Sequence, residues 1–344
     1  MTQTHKAEAT PRAFKLSANE NPFGPSPKAV QAMQAALPTL GLYPPQTDAQ
    51  LKAELSKLHG LSDEHFITGN GGCDVLRLAA LAYLGEGVSA IVTPPTFPVY
   101  KRTANQVGAK IVEALLDPKT FTVRPDALRD AVTPDVKVVY LCNPNNPTGT
   151  TFGQETFDAL LDAVPDDMLI IYDEVYYHFA TGMDLPDAKA AVEVGKNLLV
   201  VHSFSKAYGL AGMRLGYGMA KPDIVEGLES HKNPFHTNRL GLEAGVAALQ
   251  DSAHVNRTVT NNTLGRELFQ EKLKALGLNV WDSQANFVMF EVPEKMTAEG
   301  LTDKLQSYGV SVRPAFGLDR HVRVSVGLPE ANECFVSAVE DILE

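Results

Sequence analysis

The sequence predicts an α/β protein: a mostly parallel sheet flanked by helices, followed by a smaller α+β unit. Three observations predict it. Continuous apolar runs (SAIVT, KVVYL, MLIIY and LLVVH) recur between Phe66 and Met219, and runs without alternation fit strands buried on both faces. Helical-length stretches separate them, and strand–helix alternation implies parallel pairing. After residue 275 the pattern changes: LNVW, ANFVMFE, VSVRP and HVRVSVG read as strands, with helices near 297–308 and 329–343.

The elements follow in order. The opening MTQTHKAEATPRAF is polar, without the apolar stretch of a secretory signal, and residues 1–14 read as a mobile arm. KLSANENPFGPSP is too rich in proline to be slack and reads as a fixed, extended loop. Thr47 followed by Gln50 has the spacing of a capping box. Leu51, Leu55 and Leu58 then recur at helical spacing, so a helix is expected to start there. Residues 238–275 read as helical and polar. No internal repeat or low-complexity segment interrupts the chain.

A length of 344 residues suits two domains. Thirty Lys and Arg against 41 Asp and Glu leave a formal charge of −11. That balance argues against a broad basic footprint for nucleic acid or anionic lipid, though not against a small basic pocket. The three cysteines, Cys73, Cys142 and Cys334, form no C-x-x-C pair, so neither a disulfide framework nor a thiolate metal site is predicted. No apolar run is long enough to span a membrane, and a cytoplasmic enzyme is expected. Partial motifs fail for want of partners. LIIYDE lacks a phosphate-binding G-x-x-x-x-G-K loop, and Ser203-Phe204-Ser205-Lys206 lacks the S-D-N and K-T-G that accompany S-x-x-K elsewhere.

Four features follow buried strands, and in open parallel sheets ligands bind at the carboxyl ends of strands. Gly71-Gly72-Cys73 precedes a helical stretch, so backbone N–H groups and a helix start are offered to an anion. Asn143 to Gly149 forms a rigid loop able to aim an amide. Asp173 closes an apolar strand, where a carboxylate is costly unless paired, and Tyr176 lies three residues on. Lys206 follows an apolar strand and two hydroxyls, with Arg214 eight residues later. A lysine held there suits a lowered pKa and Schiff-base chemistry. An amine, an anion cradle and a buried carboxylate are what pyridoxal phosphate needs for its aldehyde, phosphate and ring nitrogen.

With those residues in hand, the sequence resembles the fold-type I pyridoxal-phosphate aminotransferases, most closely those acting on histidinol phosphate. The resemblance rests on the joint order of LSANENPFGPSP, LYP, ITGNGG, PPTFPVY, NPNNPTG, YDEVY, SFSKAYGLAGMRLGY, SQANFVMF and VRVSVG. It implies an aspartate aminotransferase-like fold with a seven-stranded-type sheet. Residues 15–45 would contribute to the small domain and a dimer contact, 46–250 would form the large cofactor domain, and 251–344 the small domain. It implies that Lys206 binds the aldehyde and then carries the proton between substrate Cα and cofactor C4′. Asp173 pairs with the ring nitrogen, Asn146 and Tyr176 bond the phenolic oxygen, and Phe97 stacks on the ring. The phosphate is held by the amides of Gly71, Gly72 and Cys73, by Ser203 and Ser205, and by Arg214. Tyr43 reaches the cofactor of a neighbouring subunit in a homodimer.

The resemblance also implies a substrate site. Arg323 grips the substrate's anionic group, Arg313 is a second arginine one strand away, and Asn21 closes over the substrate. Two guanidinium groups suit a phosphate dianion. The implied reaction is histidinol phosphate plus 2-oxoglutarate giving imidazole acetol phosphate plus glutamate, in histidine biosynthesis. Aromatic-amino-acid transamination and phosphothreonine decarboxylation are the alternatives. A non-enzymatic cofactor-binding module is disfavoured by the acidic charge.

Overall fold

The computed structural model describes residues 13–182 and 184–344. The strands are β1 (Phe14–Lys15), β2 (Phe66–Gly69), β3 (Ser89–Val92), β4 (Lys110–Glu113), β5 (Val136–Cys142), β6 (Leu169–Asp173), β7 (Leu198–Ser203) and β8 (Gly216–Met219), then β9 (Phe287–Glu291), β10 (Val310–Ser311), β11 (Arg313–Pro314) and β12 (His321–Ser325). Seven of them form one sheet in the order β2-β8-β7-β6-β5-β3-β4. Strands β3 to β7 run parallel, and β8 is antiparallel to both β7 and β2. All four runs read as buried strands are strands of this sheet. β4 (KIVE) was not anticipated: it is an edge strand, charged at both ends, so it lacks the apolar run that marks its neighbours.

Alternation within each central strand explains why its sequence is apolar throughout. Val139, Leu141, Ile170, Tyr172 and Val200 pack into the hydrophobic core on one face. Their immediate neighbours Val138, Tyr140, Leu169, Ile171 and Val201 pack into the core on the other. With helices on both faces, no position in these strands is left for a polar residue until the strand ends.

A second unit packs β11, β12 and β9 into an antiparallel sheet and pairs β1 with β10 in parallel. Its core joins Leu16, Phe269, Leu273, Phe290, Val324 and Phe335, so the chain's beginning is tied to its last third. Helices at Ala298–Ser307 and Pro329–Leu343 match expectation.

Several expectations need correction. The arm predicted over residues 1–14 lies outside the described residues as far as residue 12, and Phe14 is already in β1. The helix after Thr47 runs Ala49–His59 with Asp48 at its N-cap and no side-chain cap. Asp48 instead accepts hydrogen bonds from Thr68 and Lys232. LNVW is not a strand; only Val280 bridges to Phe290. Residues 238–275 form two helices, Arg239–Leu249 and Ser252–Ala275, and the first buries Leu242, Ala244 and Ala248, so the segment is amphipathic rather than polar.

Candidate active site

Because β5, β6 and β7 are parallel and in register, Cys142 pairs with Asp173 and Asp173 with Val201. The loops after these strands therefore leave the sheet at one edge. A cavity of about 270 Å³ opens there, lined by Gly72, Cys73, Phe97, Asn146, Asp173, Tyr176, Ser203, Ser205, Lys206, Arg214, Arg313 and Arg323 among others. The structure thus gathers residues spread over two hundred and fifty positions of chain into one site.

Asp173 is buried at the end of β6. Its Oδ2 accepts from Tyr100 Oη at 2.7 Å and its Oδ1 from the Val175 amide at 3.2 Å. Burial raises its pKa to about 6, against the lowering effect of the Tyr100 hydrogen bond. Lys206 projects into the cavity, and its Nζ donates to the Ala18 carbonyl at 3.3 Å. Desolvation, reinforced by the positive charge of Arg323, lowers its pKa to about 8. No salt bridge holds either group among the described residues. A buried carboxylate and a half-buried amine left apart in one cavity are costly for folding alone, and useful to a ligand that neutralises both.

The same cavity holds a hydrogen-bonded chain through Arg323, Asn146, Tyr176 and Asn19. Arg323 Nη1 donates to Asn146 Oδ1 at 2.6 Å. Asn146 Nδ2 donates to Tyr176 Oη at 3.3 Å, and Asn19 Nδ2 donates to the same oxygen at 3.0 Å. Asn19 is in turn fixed by Ser325, whose hydroxyl donates to its Oδ1 and accepts from its backbone N–H. Burial pushes the Tyr176 phenol well up, so it remains a proton donor at neutral pH.

Gly72, Cys73, Ser203, Ser205 and Arg214 of the cavity form the anion cradle. A helix begins at Gly72, with Gly71 at its N-cap at φ +89°. The φ of +89° favours glycine, and an added Cβ would sit 2.5 Å from Arg214 Nη2, so the guanidinium would have to move. Arg214, itself at φ +50°, reaches Ser205 Oγ at 3.5 Å, and Ser203 Oγ accepts from the Ser205 amide. The amides of Gly72 and Cys73, in the first turn, have no intrahelical acceptor. The Gly71 amide was expected beside them but donates to the Gly69 carbonyl at 2.8 Å. Gly71 serves the cradle by its missing side chain instead.

Gly71 does not itself line the cavity, and two further expected residues, Asn21 and Tyr43, also lie outside it. Asn21 is buried with its amide fully engaged: Nδ2 donates to the Ala207 carbonyl and Thr258 Oγ1, and Oδ1 accepts from Phe23 N–H. It pins the N-terminal loop rather than meeting a substrate. Tyr43 is 76% exposed, its ring stacked on Phe235 at 4.6 Å. The cavity residues that were missed include Tyr100, Asn19 and Phe316. Tyr100 carried a signal: it lies three residues after Phe97 in PPTFPVY, and its backbone N–H donates to the Phe97 carbonyl at 3.2 Å. Asn19 sits in the loop already singled out, two positions before Asn21.

The donor set fits pyridoxal phosphate: an amine for its aldehyde, a buried carboxylate for its ring N–H, and free amides with an arginine and two serines for its phosphate.

Comparison with known proteins agrees with the geometry. Residues 11–339 match the model of the family described as aminotransferase class I and II. A histidinol-phosphate aminotransferase of Moorella thermoacetica is 38% identical over 333 residues, covering 96% of this chain and 85% of the relative. The histidinol-phosphate aminotransferase of Sinorhizobium meliloti, solved with pyridoxal-5′-phosphate, superimposes with a TM-score of 0.90 at 25% identity, covering 96% of this chain and 91% of that one. Aspartate aminotransferase of Thermus thermophilus with maleate superimposes at 0.85, also 25% identical and with the same coverage. The fold is that of the fold-type I enzymes, whose cofactor is pyridoxal phosphate, and the strand-end amine, carboxylate and anion cradle are what that chemistry requires. On sequence, fold and site together, the chain belongs to the class I and II aminotransferases.

Proposed function

We propose that this aminotransferase transfers the amino group of histidinol phosphate to 2-oxoglutarate, giving imidazole acetol phosphate and glutamate. The observation that carries the substrate is a pair of arginines. Arg313 and Arg323 face each other across β11 and β12 in direct register, and both line the cavity that holds Lys206. Phe316 lies between them, 4.6 Å from one guanidinium and 5.4 Å from the other. Arg313 has no carboxylate partner among the described residues, so the pair presents uncompensated charge suited to a phosphate dianion. The name of the Moorella relative supports the same substrate.

Pyridoxal phosphate, when bound, supplies an aldehyde and an electron-accepting ring. Asp173 accepts the ring N–H, and Tyr100 and the Val175 amide fix the carboxylate's direction. Tyr176 and Asn146 offer their hydrogens to the phenolic oxygen. Phe97 packs against the ring. The amides of Gly72 and Cys73, with Ser203, Ser205 and Arg214, hold the phosphate. Lys206 would supply the amine, and its Nζ would then take the proton from substrate Cα and deliver it to cofactor C4′. With a pKa near 8, it is poised for both directions near neutral pH.

We assign residues 46–250 to the cofactor domain, 251–344 to the small domain and 15–45 to a segment shared with the dimer contact. We place the protein in histidine biosynthesis in the cytoplasm. No helix among the described residues is long and apolar enough to cross a membrane. The substrate assignment is tested by steady-state kinetics with histidinol phosphate, phenylalanine and phosphothreonine. The highest kcat/KM is expected for histidinol phosphate; a preference for phenylalanine would overturn the assignment.

A further inference from the structure

The loop Asn233 to Asn238 lies outside the cavity yet touches the cofactor cradle at three points. Asn70, at the turn before the cradle helix, donates its Nδ2 to the His236 carbonyl at 2.9 Å. Asn238 donates its Nδ2 to the carbonyl of Met213, the residue before Arg214, at 2.9 Å, while its Oδ1 caps the following helix. His236 Nε2 lies 2.5 Å from Asp74 Oδ2, and the histidine side chain is only 8% exposed.

The tautomer of His236 follows from its surroundings. The Asn233 backbone N–H donates to Nδ1 at 3.3 Å. A backbone amide can only donate, so Nδ1 is the acceptor and Nε2 carries the hydrogen. Nε2 therefore donates to Asp74. Both oxygens of the Asp74 carboxylate are engaged: Oδ2 also accepts from the Asn70 amide at 2.8 Å, and Oδ1 accepts from Arg77 Nε at 2.9 Å. Burial alone would raise its pKa, but these hydrogen bonds outweigh it and hold the carboxyl below its ordinary value. A negative charge thus stands in the first turn of the helix whose Gly72 and Cys73 amides face the cavity. Left loose, it would compete with a bound phosphate for those same N–H groups. Held by His236, Arg77 and Asn70, it is turned away and stiffens the Asn70–Gly71 turn instead.

We propose that His236 and Asp74 form a latch that positions the phosphate cradle, so that the 233–238 loop sets how tightly the phosphate of the cofactor is held. The proposal rests on the pyridoxal-phosphate reading above. His236 and Asp74 are positioning residues: neither lines the cavity.

The test is equilibrium dialysis of the full chain, freed of cofactor, with pyridoxal 5′-phosphate and, in parallel, with phosphate-free pyridoxal. The His236→Phe variant removes the donor while keeping a ring, and His236→Gln replaces Nε2–H with an amide N–H. His236→Phe is expected to raise Kd for the phosphorylated cofactor about tenfold and leave that for pyridoxal unchanged. His236→Gln is expected to stay within about threefold of wild type for both. Should His236→Phe fail to fold, His236→Ala, which likewise removes the donor to Asp74, is expected to give the same phosphate-specific loss. An equal loss for both ligands, or none for either, would overturn the latch. Failure of the wild type to prefer the phosphorylated ligand would instead overturn the cofactor reading itself.

Discussion

Asp173 shows at the scale of one residue how function is set against stability. Its carboxyl is buried with only Tyr100 and one backbone amide for company, and burial raises its pKa from 3.8 to about 6. The folded chain therefore binds a proton more tightly than the unfolded one. The neutral form's contribution is complete below pH 4 and is lost as pH rises through 6. A shift of that size corresponds to roughly 3 kcal/mol. In cofactor-free protein, Asp173→Asn should melt at the same temperature as wild type near pH 4 and several degrees higher at pH 7.5. Calorimetry at the two pH values checks this; a variant less stable than wild type at pH 7.5 would mean that the carboxylate is already well paired. Pyridoxal phosphate would reverse the sign, because its ring N–H provides the missing partner.

At the scale of elements, what was legible is what burial forces on the sequence. A strand covered on both faces must be apolar from end to end, so MLIIY and LLVVH announced β6 and β7, and Asp173, Ser203 and Lys206 stood out because they break that pattern at the strand ends. The edge strand β4 is covered less and left no such mark. The Gly71 amide was misplaced because sequence tells that glycine permits a tight turn, not which way its N–H points. Asn21 was misassigned for a related reason. Its loop was rightly read as fixed, but the partners that fix it, Ala207 and Thr258, are distant in sequence. Tyr100 and Asn19 act through hydrogen bonds to Asp173 and Tyr176, contacts that no local spacing reveals. The 233–238 latch is of the same kind: His236 and Asp74 are 162 positions apart.

For the whole molecule, a further expectation concerns the segment after the first helix. Leu37, Leu40, Leu42 and Tyr43 are 51%, 52%, 67% and 76% exposed, a run of large apolar side chains that a lone chain would leave in water. We propose that a second copy covers it. Sedimentation at micromolar concentration should give twice the chain mass of 37.2 kDa, and Leu42→Asp should shift the population toward monomer; a wild-type monomer would refute the shared interface. The fold, the cradle and the arginine pair all converge on the amine of Lys206. The most direct measurement is borohydride reduction of the enzyme loaded with pyridoxal phosphate, followed by peptide mapping by mass spectrometry. A single pyridoxyl label on the peptide containing Lys206 is the predicted result; a label on another lysine, or none, would contradict it.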